Sequence, residues 1–284
     1  MQERKPALFI LAILFGFNIF VWSVLCDFNK SDFLEVTFFD VGQGDAAFIE
    51  TGGSRQVLID GGSDSLILEK LGKEMPFWDR TIDLIILTHP EHDHMAGLLE
   101  VLKRYEVENI LWTGAVRDTA EFREWEKLIK EENANIIIAR SLLRVGFNNS
   151  YIDVLYPFED LEGQETKNAN NTSIVARLVF GEKSFLFTGD IEKSAERKLL
   201  ESGAEVDSDV LKVAHHGSKT SSIPEFIEKV SPEIAVISSG KDNSFGHPHP
   251  ETLETLSKCG INVLRTDESG DIKIVCNSQS LKLK

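Results

Sequence analysis

Cysteine and histidine are both scarce in this chain of 284 residues, which has three of the first and seven of the second. The cysteines show no CxxC spacing, and no histidine stands near any of them at a spacing suited to a zinc ligand; they are Cys26, Cys259 and Cys276. This excludes a structural zinc knot. Cys259 and Cys276 are either two free thiols or, in a domain outside the cytoplasm, a disulfide pair. Because histidines are so few, a place where several occur together is informative.

Basic residues are also in the minority, with 30 Lys and Arg against 46 Asp and Glu and a formal net charge of −16. An acidic surface repels polyanions, so a nucleic-acid partner would need a local basic patch or bound cations that reverse the field. The charge therefore disfavours binding to DNA without excluding it. A hydrophobic content of 42% is sufficient for a sizeable core.

Charged residues are absent from Pro6 to Cys26, a run typical of a bilayer span and longer than the core of a signal peptide, which is about 7–15 residues. Arg4 and Lys5 before it favour a cytoplasmic N-terminus. We therefore predict a membrane anchor helix over residues 1–30 and an extracytoplasmic domain over residues 33–284. The alternative is a cleaved signal peptide and a secreted domain.

The rest of the chain alternates short apolar strands with amphipathic helices, which predicts an α/β fold of two sheets flanked by helices. Predicted strands include 33–39, 46–50, 57–60, 84–87, 136–139, 152–155, 173–180, 184–188, 210–214, 235–238, 263–265 and 272–276. Predicted helices cover 95–105, 122–129, 195–200, 223–230 and 250–258. The polar stretch 159–171 is predicted to be a loop near the rim of the site.

Polar clusters stand where predicted strands end, so their side chains can converge on one edge of a sheet. The densest is Thr88–His94, which places three imidazoles and two carboxylates directly after an apolar strand. Nitrogen and oxygen ligands at this spacing are what a divalent cation needs; the alternative is a polar surface loop with chance histidines. The other clusters are Asp40–Asp45, Asp60–Gly62, Asn170–Ser173, Thr188–Asp190, His215–Ser218 and Gly246–Pro250.

In their order, these motifs resemble the metallo-β-lactamase superfamily, whose first metal motif is His-x-His-x-Asp-His. They are similar in particular to the hydrolase domain of the ComEC family of competence proteins, over nearly all of residues 33–284. The resemblance implies a four-layer αββα sandwich, here with an N-terminal transmembrane helix. It also implies divalent metal ions, two in number, as cofactors.

Carried over residue by residue, the resemblance implies a metal-ligand set in which either His215 or His216 is the late histidine. Glu91 stands where the superfamily usually has a second histidine, and Asn170-Asn171 stand where a third is expected. A site richer in oxygen shifts the expected metal from zinc toward manganese, with zinc still possible. The implied metal ligands are His89, Glu91, Asp93, His94, Asp190, His215 and His216.

Other residues of these motifs are candidates for catalysis, substrate contact or support of the ligands. Asp93 is predicted to orient or deprotonate the nucleophile, and His247 to contact a phosphoryl oxygen or protonate a leaving group. Each aspartate in a glycine-rich turn is alternatively a capping residue. The candidates for substrate contact or support are Asp40, Asp45, Asp60, Asn171, Lys212 and Ser218, with Lys219 as a further lysine that could neutralise phosphate.

These observations predict a metal-dependent hydrolase that uses metal-activated water as its nucleophile. The resemblance implies a phosphodiesterase or nuclease, with DNA or another phosphodiester as substrate. Two alternatives stay open: a small-molecule metallohydrolase that acts on phosphocholine esters, lactones or β-lactams, and a non-catalytic, membrane-anchored binding module. The sequence indicates no protein partner.

Overall fold

The computed structural model of the protein describes residues 4–30, 33–52, 55–147, 149–166 and 168–284. In these ranges the strands form two sheets. The first has the order β15 (Leu281–Leu283), β14 (Ile272–Cys276), β1 (Leu34–Phe38), β2 (Ala47–Thr51), β3 (Gln56–Ile59), β4 (Thr81–Leu87), β5 (Glu106–Trp112) and β6 (Asn135–Ile138). The second has the order β13 (Asn262–Arg265), β12 (Ile234–Ile237), β11 (Val210–Lys212), β10 (Lys183–Phe187), β9 (Val175–Phe180), β8 (Ser150–Tyr156) and β7 (Arg144–Phe147).

The two sheets pack face to face, and helices cover their outer faces. Helices α2 (Leu66–Glu74), α3 (His92–Leu102) and α4 (Ala120–Glu131) contribute to an apolar cluster with the first sheet. A further apolar cluster lies between the second sheet and three helices, α5 (Lys193–Ser202), α6 (Pro224–Val230) and α7 (Pro250–Lys258). A single helical turn, α8 (Thr266–Ser269), precedes β14. The predicted αββα sandwich is therefore confirmed.

Strand β4 shows why its sequence is apolar at successive positions. Leu84 and Ile86 point into the core between the sheets, whereas Ile85 and Leu87 point into the cluster under the helices. Successive side chains of a strand face opposite sides, so a strand covered on both faces needs apolar residues throughout. Across the central core, the rings of Phe38 and Phe187 stack with centroids 5.8 Å apart.

Several elements were not predicted from the sequence, namely α2, α8, β5, β7 and β15. Helix α3 begins at His92, three residues before the predicted start, so the histidine-rich segment itself forms its first turn. Cys259 is exposed, Cys276 is buried, and both are free thiols, which decides against the disulfide.

The first helix, α1 (Arg4–Lys30), covers the segment predicted to be a membrane anchor. Residues 1–3 of that segment lie outside the described residues. In the part of the chain that the structure describes, no helix is both long enough and apolar enough to cross a membrane. The transmembrane helix predicted for residues 1–30 is thus not supported.

Candidate metal centre

The ends of three strands bring the predicted ligands together. His89 follows β4, Asp190 follows β10, and His216 follows β11, while Asp93 and His94 lie in the first turn of α3. Strands β10 and β11 are parallel neighbours, so the segments after them leave the same edge of the sheet. The convergence that the strand-end clusters predicted is present in the structure.

Asp190 lies at the middle of the cluster. Its Oδ1 is 3.4 Å from His94 Nε2, and its Oδ2 is 3.5 Å from His216 Nε2. The ring centroids of His89 and His94 are 4.2 Å apart. The backbone N–H of Asp190 donates to Ser173 Oγ at 3.0 Å, which holds this carboxylate in place. One carboxylate therefore faces several imidazole nitrogens.

Several ligand atoms in this cluster are buried and lack a hydrogen-bond partner among the described residues. In the described part of the chain, His89 Nε2, His94 Nε2 and Asp190 Oδ1 have no hydrogen-bond partner. Polar atoms removed from water normally have a partner, because leaving one unpaired is costly. Ligand atoms of His89, His94 and Asp190 lie within 4.8 Å of one another, as do those of Asp93, His94 and His216. These two groups fit a divalent cation in donor type and spacing.

The electrostatics of the cluster agree with a cation site. Burial lowers the pKa of His89 to about 3, which keeps its imidazole neutral and able to bind a metal. Burial also opposes protonation of His216, but the carboxylates of Asp190 and Asp45 outweigh it and raise the pKa to about 10. His94 behaves similarly: Asp190 and Asp60 overcome burial and hold its pKa above the ordinary value. Positive charge is therefore favoured among these carboxylates.

Buried oxygen atoms contact the nitrogens of His94 and His216 that face away from the cluster. Asp60 Oδ2 is 2.8 Å from His94 Nδ1, and the Asp60 carboxylate also accepts hydrogen bonds from the N–H and hydroxyl of Thr88. His216 Nδ1 donates to the backbone carbonyl of Ser238 at 3.0 Å, and Asp45 Oδ1 lies 3.1 Å from the same nitrogen as an ion-pair contact. A carboxylate or backbone carbonyl on Nδ1 of a ligating histidine fixes the ring and leaves Nε2 directed at the metal.

Glycines allow the loops that carry these aspartates to pack directly on α3. The N–H of Gly61 donates to His94 O at 2.8 Å, and that of Gly97 donates to Gly62 O at 3.0 Å. A Cβ on Gly97 would lie 1.9 Å from Gly61 O, and one on Gly44 would lie 2.2 Å from Asp93 O. Backbone contact at this distance requires glycine, which explains the glycine-rich motifs.

Two of the predicted metal ligands lie apart from these groups. Glu91 forms an ion pair with Arg117, with Oε1 2.6 Å from Nη1, and it belongs to neither group of clustered ligand atoms. His215 is partly exposed; its Nδ1 contacts Thr220 Oγ1 at 3.0 Å, and its Nε2 is 3.8 Å from Asp190 Oδ2. Of the late histidine pair, His216 is the residue placed among the ligand atoms.

His247 lies beside the late histidines. Its ring centroid is 5.5 Å from that of His215 and 6.2 Å from that of His216. Burial and the positive charge of His216 lower its pKa to about 4, so the imidazole is neutral near pH 7. Asn243 fixes the loop by accepting the backbone N–H of His247 at 3.0 Å.

The asparagine segment contacts the site through a different residue than predicted. The side chain of Asn171 accepts the backbone N–H of Glu192 and donates to the Glu192 carboxylate, so both of its ends are used in structural contacts. Asn170 Nδ2 instead lies 3.4 Å from His215 Nε2. Because the two asparagines are adjacent in the sequence, the sequence alone does not indicate which of them faces the site.

The remaining predicted residues have structural partners. Asp40 Oδ1 accepts the backbone N–H of Gly42, as a turn cap does. Ser218 Oγ lies 3.1 Å from Thr220 Oγ1. Lys212 is 4% exposed and forms an ion pair with Asp45 at 2.7 Å, so its charge is directed at that carboxylate. The motifs named from the sequence include Thr88 and Ser173 without assigning either a role, and Arg117 was missed because nothing in composition or spacing distinguishes it.

A model of the metallo-β-lactamase superfamily matches residues 39–241. The chain belongs to this superfamily. Its fold and its buried ligand cluster are those of a metal-dependent hydrolase. Among solved structures, the metallo-β-lactamase fold protein YhfI from Bacillus subtilis aligns with a TM-score of 0.56 and 14% identity, over 89% of this chain and all of that one. That likeness shows the fold alone.

Curated relatives of this superfamily member include competence proteins. It is 33% identical over 256 residues to ComE operon protein 3 from Bacillus subtilis, covering 84% of this chain and 32% of the relative. It is 32% identical over 242 residues to competence protein ComA from Neisseria gonorrhoeae, again covering 84% and 32%. The chain thus spans about a third of the length of these relatives. The predicted resemblance to competence proteins is confirmed.

Proposed function

We propose that this chain is a metal-dependent phosphodiesterase that hydrolyses nucleic acid and uses two divalent cations, Zn²⁺ or Mn²⁺. The observation that carries the proposal is the set of buried ligand atoms around Asp190 that have no hydrogen-bond partner within the described ranges. His89, Asp93, His94, Asp190 and His216 would hold the cations. When bound, such cations polarise a phosphoryl oxygen and lower the pKa of a water molecule toward neutrality.

The protein's own side chains supply the remaining functions in this proposal. Asp93 Oδ2 is 3.2 Å from His216 Nε2, and hydrogen bonding from His216 together with nearby imidazolium charge overcomes burial and keeps the pKa of Asp93 low. It stays ionised and able to orient the nucleophile. His247, a neutral imidazole, is proposed to contact the phosphoryl group by donating a ring N–H hydrogen bond to one of its oxygens; a neutral ring carries no acidic proton for the leaving oxygen, so the predicted role as a proton donor is not part of the proposal.

Two observations favour nucleic acid over a small substrate. Curated relatives carry the names ComE operon protein 3, competence protein ComA and, at 28% identity, recombination protein 2 of Haemophilus influenzae. In addition, a basic cavity adjoins the site in spite of the overall net charge of −16. A location of the domain outside the cytoplasm belongs to the same proposal, and protease access to the domain in intact cells tests it.

The test uses the purified full chain with Mn²⁺ or Zn²⁺. We expect hydrolysis of both an aryl phosphodiester and single-stranded DNA, abolished by a chelator and by Asp93→Asn combined with Asp190→Asn. His92→Ala is the matched control, since His92 lies in the same motif but is exposed and contacts Glu121. The control variant should retain wild-type activity.

Other outcomes separate the alternatives. Activity that survives both chelation and the double substitution contradicts a metal-dependent mechanism. Hydrolysis of the aryl phosphodiester without any degradation of DNA, across salt and metal conditions, supports the small-molecule hydrolase. Metal binding without hydrolysis of any phosphodiester, lactone or β-lactam supports the binding module.

A further inference from the structure

A cavity of about 300 Å³ lies where α5, α6 and α7 meet, beside the loop that carries His215 and His216. Its wall includes Lys193 and Arg197 of α5, residues of α6 and α7, and four residues before α6, namely Lys219, Ser221, Ser222 and Ile223. We call it the three-helix cavity. None of its lining residues is among the proposed metal ligands, so it is a separate feature that adjoins the metal centre.

The cavity gathers positive charge in an acidic protein. Lys193, Arg197 and Lys219 line it, and within the described residues none of them forms an ion pair. Lys198, on the same helix but outside the cavity, is paired with Glu159 at 2.9 Å. The lining also holds two glutamates, at positions 225 and 251, and the buried carboxyl of Glu196 interacts electrostatically with Lys193 and Arg197 without forming an ion pair with either in the described part of the chain. The cavity therefore has cations available for an anionic ligand.

A second, independent observation indicates a ligand. The side chain of Ser222 is buried, at 5% exposure, and its hydroxyl has no hydrogen-bond partner in the part of the chain that the structure describes. The backbone N–H of Ser222 donates to Glu196 Oε1 at 2.5 Å, which holds the residue in place on the cavity wall. Leaving such a hydroxyl unpaired is unfavourable, and because Ser222 lines the cavity, rotation about its Cα–Cβ bond would bring the hydroxyl to an acceptor bound there.

The cavity is connected to the metal centre through a single residue. Thr220 Oγ1 is 3.0 Å from His215 Nδ1, and Thr220 O accepts the backbone N–H of Lys193 at 2.9 Å. Lys219 is three residues from His216, which limits the distance between their Cα atoms to about 11 Å. A ligand in the cavity therefore lies close to a substrate bound at the metals.

We propose that the three-helix cavity binds a phosphate group of a nucleic-acid strand whose neighbouring phosphodiester lies at the metal centre. This proposal rests on the proposed function, and it assigns Lys193, Arg197, Lys219 and Ser222 as the phosphate-binding residues. Lysine and arginine are the usual partners of phosphate, and a serine hydroxyl donates to the same oxygens. Such contacts position the strand without reading its sequence.

Binding, measured by fluorescence anisotropy, tests the proposal. The probe is a labelled single-stranded oligonucleotide with phosphorothioate linkages, which resist cleavage, and the protein is the metal-loaded full chain. Adding Lys193→Gln, Arg197→Gln and Lys219→Gln should weaken binding about tenfold and reduce the slope of log K against log salt by about 0.7, the value for one phosphate contact on a single strand. Ser222→Ala should weaken binding severalfold. This single variant tests the cavity if the triple variant does not fold.

The control is Lys229→Gln, which removes an exposed lysine of α6 outside the cavity and should bind as the parent does. Oligonucleotide binding that is equally tight with and without the cavity substitutions overturns the proposal. The proposal is also overturned if the binding of inorganic phosphate depends on these residues while the binding of the oligonucleotide does not. Cleavage by the wild-type chain is scored separately, so a strand that binds through the cavity without being cleaved refutes the proposed function alone.

Discussion

Glu196 provides a pH dependence of stability that can be worked out from the structure. Its side chain, in α5, is fully buried and accepts the backbone N–H groups of Ser222 and Ile223 at 2.5 and 2.9 Å. Burial is the largest influence on its ionisation, and it raises the pKa from 4.5 to about 7 in spite of these two hydrogen bonds.

The sign follows from the order of the two pKa values. In the unfolded chain this carboxyl ionises near 4.5, and in the folded protein near 7. Between these values the unfolded state loses its proton first, so the free energy of unfolding falls as the pH rises. The stabilisation is complete below about pH 4.5 and is lost as the pH passes through 7. At about 1.4 kcal/mol per pH unit, the loss amounts to about 3 kcal/mol.

Glu196→Gln removes the ionisation while keeping the shape of the side chain. Urea unfolding of wild type and variant at several pH values between 4.5 and 8 measures the difference between their free energies of unfolding, in which other titrating groups cancel. As the pH rises across this range, we expect the free energy of unfolding of the variant to increase by about 3 kcal/mol relative to that of the wild type. Glu228→Gln, at an exposed position of α6, should show no such trend. If the free energies of unfolding of wild type and Glu196→Gln change with pH in parallel, the reasoning is refuted.

Three further predictions concern the metal centre and the packing around it. Asp60→Asn should weaken metal binding about 10–100-fold, because Asp60 orients His94 from 2.8 Å, and a competition titration with a metal indicator measures the change. Glu91→Gln should retain most of the bound metal by elemental analysis, whereas Asp190→Asn should lose it; equal losses would show that Glu91 leaves its partner and ligates. Gly97→Ala should destabilise the fold by at least ~2 kcal/mol in urea, since the added Cβ meets backbone at 1.9 Å. Gly72→Ala, in open space on α2, should instead be neutral or stabilising by up to ~1 kcal/mol.

Local sequence patterns were sufficient to predict two sheets flanked by helices and a sheet edge where polar clusters meet, whereas the four-layer arrangement was implied by the family resemblance. Fully apolar strands such as β4 predict sheets that are covered on both faces, and polar residues directly after them predict an edge where ligands meet. Nearly every position from His89 to His94 is a histidine, aspartate or glutamate, the residue types that bind metal ions. Strand β5 was missed because its first half alternates exposed glutamates with apolar residues and reads as a polar segment.

What the sequence could not predict depends on partners that are distant along the chain. Glu91 is directed away from the ligand cluster by Arg117, 26 residues later, and no periodicity relates the two. Asn170 rather than Asn171 reaches His215, because the single turn at this point uses the Asn171 side chain to bind Glu192. The pairing of Lys212 with Asp45 likewise exists only once two separate sheets are assembled.

The charge of the cluster connects the fold to the proposed chemistry. Asp45, Asp60, Asp93 and Asp190 lie among His94 and His216, and burying several carboxylates together is costly unless positive charge compensates them. Protons on the two imidazoles give part of that charge, which is why their pKa values are raised. A divalent cation compensates the same carboxylates more fully and displaces these protons when it binds. The arrangement that makes the polypeptide alone bind protons tightly is therefore the same arrangement that favours a metal, and metal affinity should increase with pH.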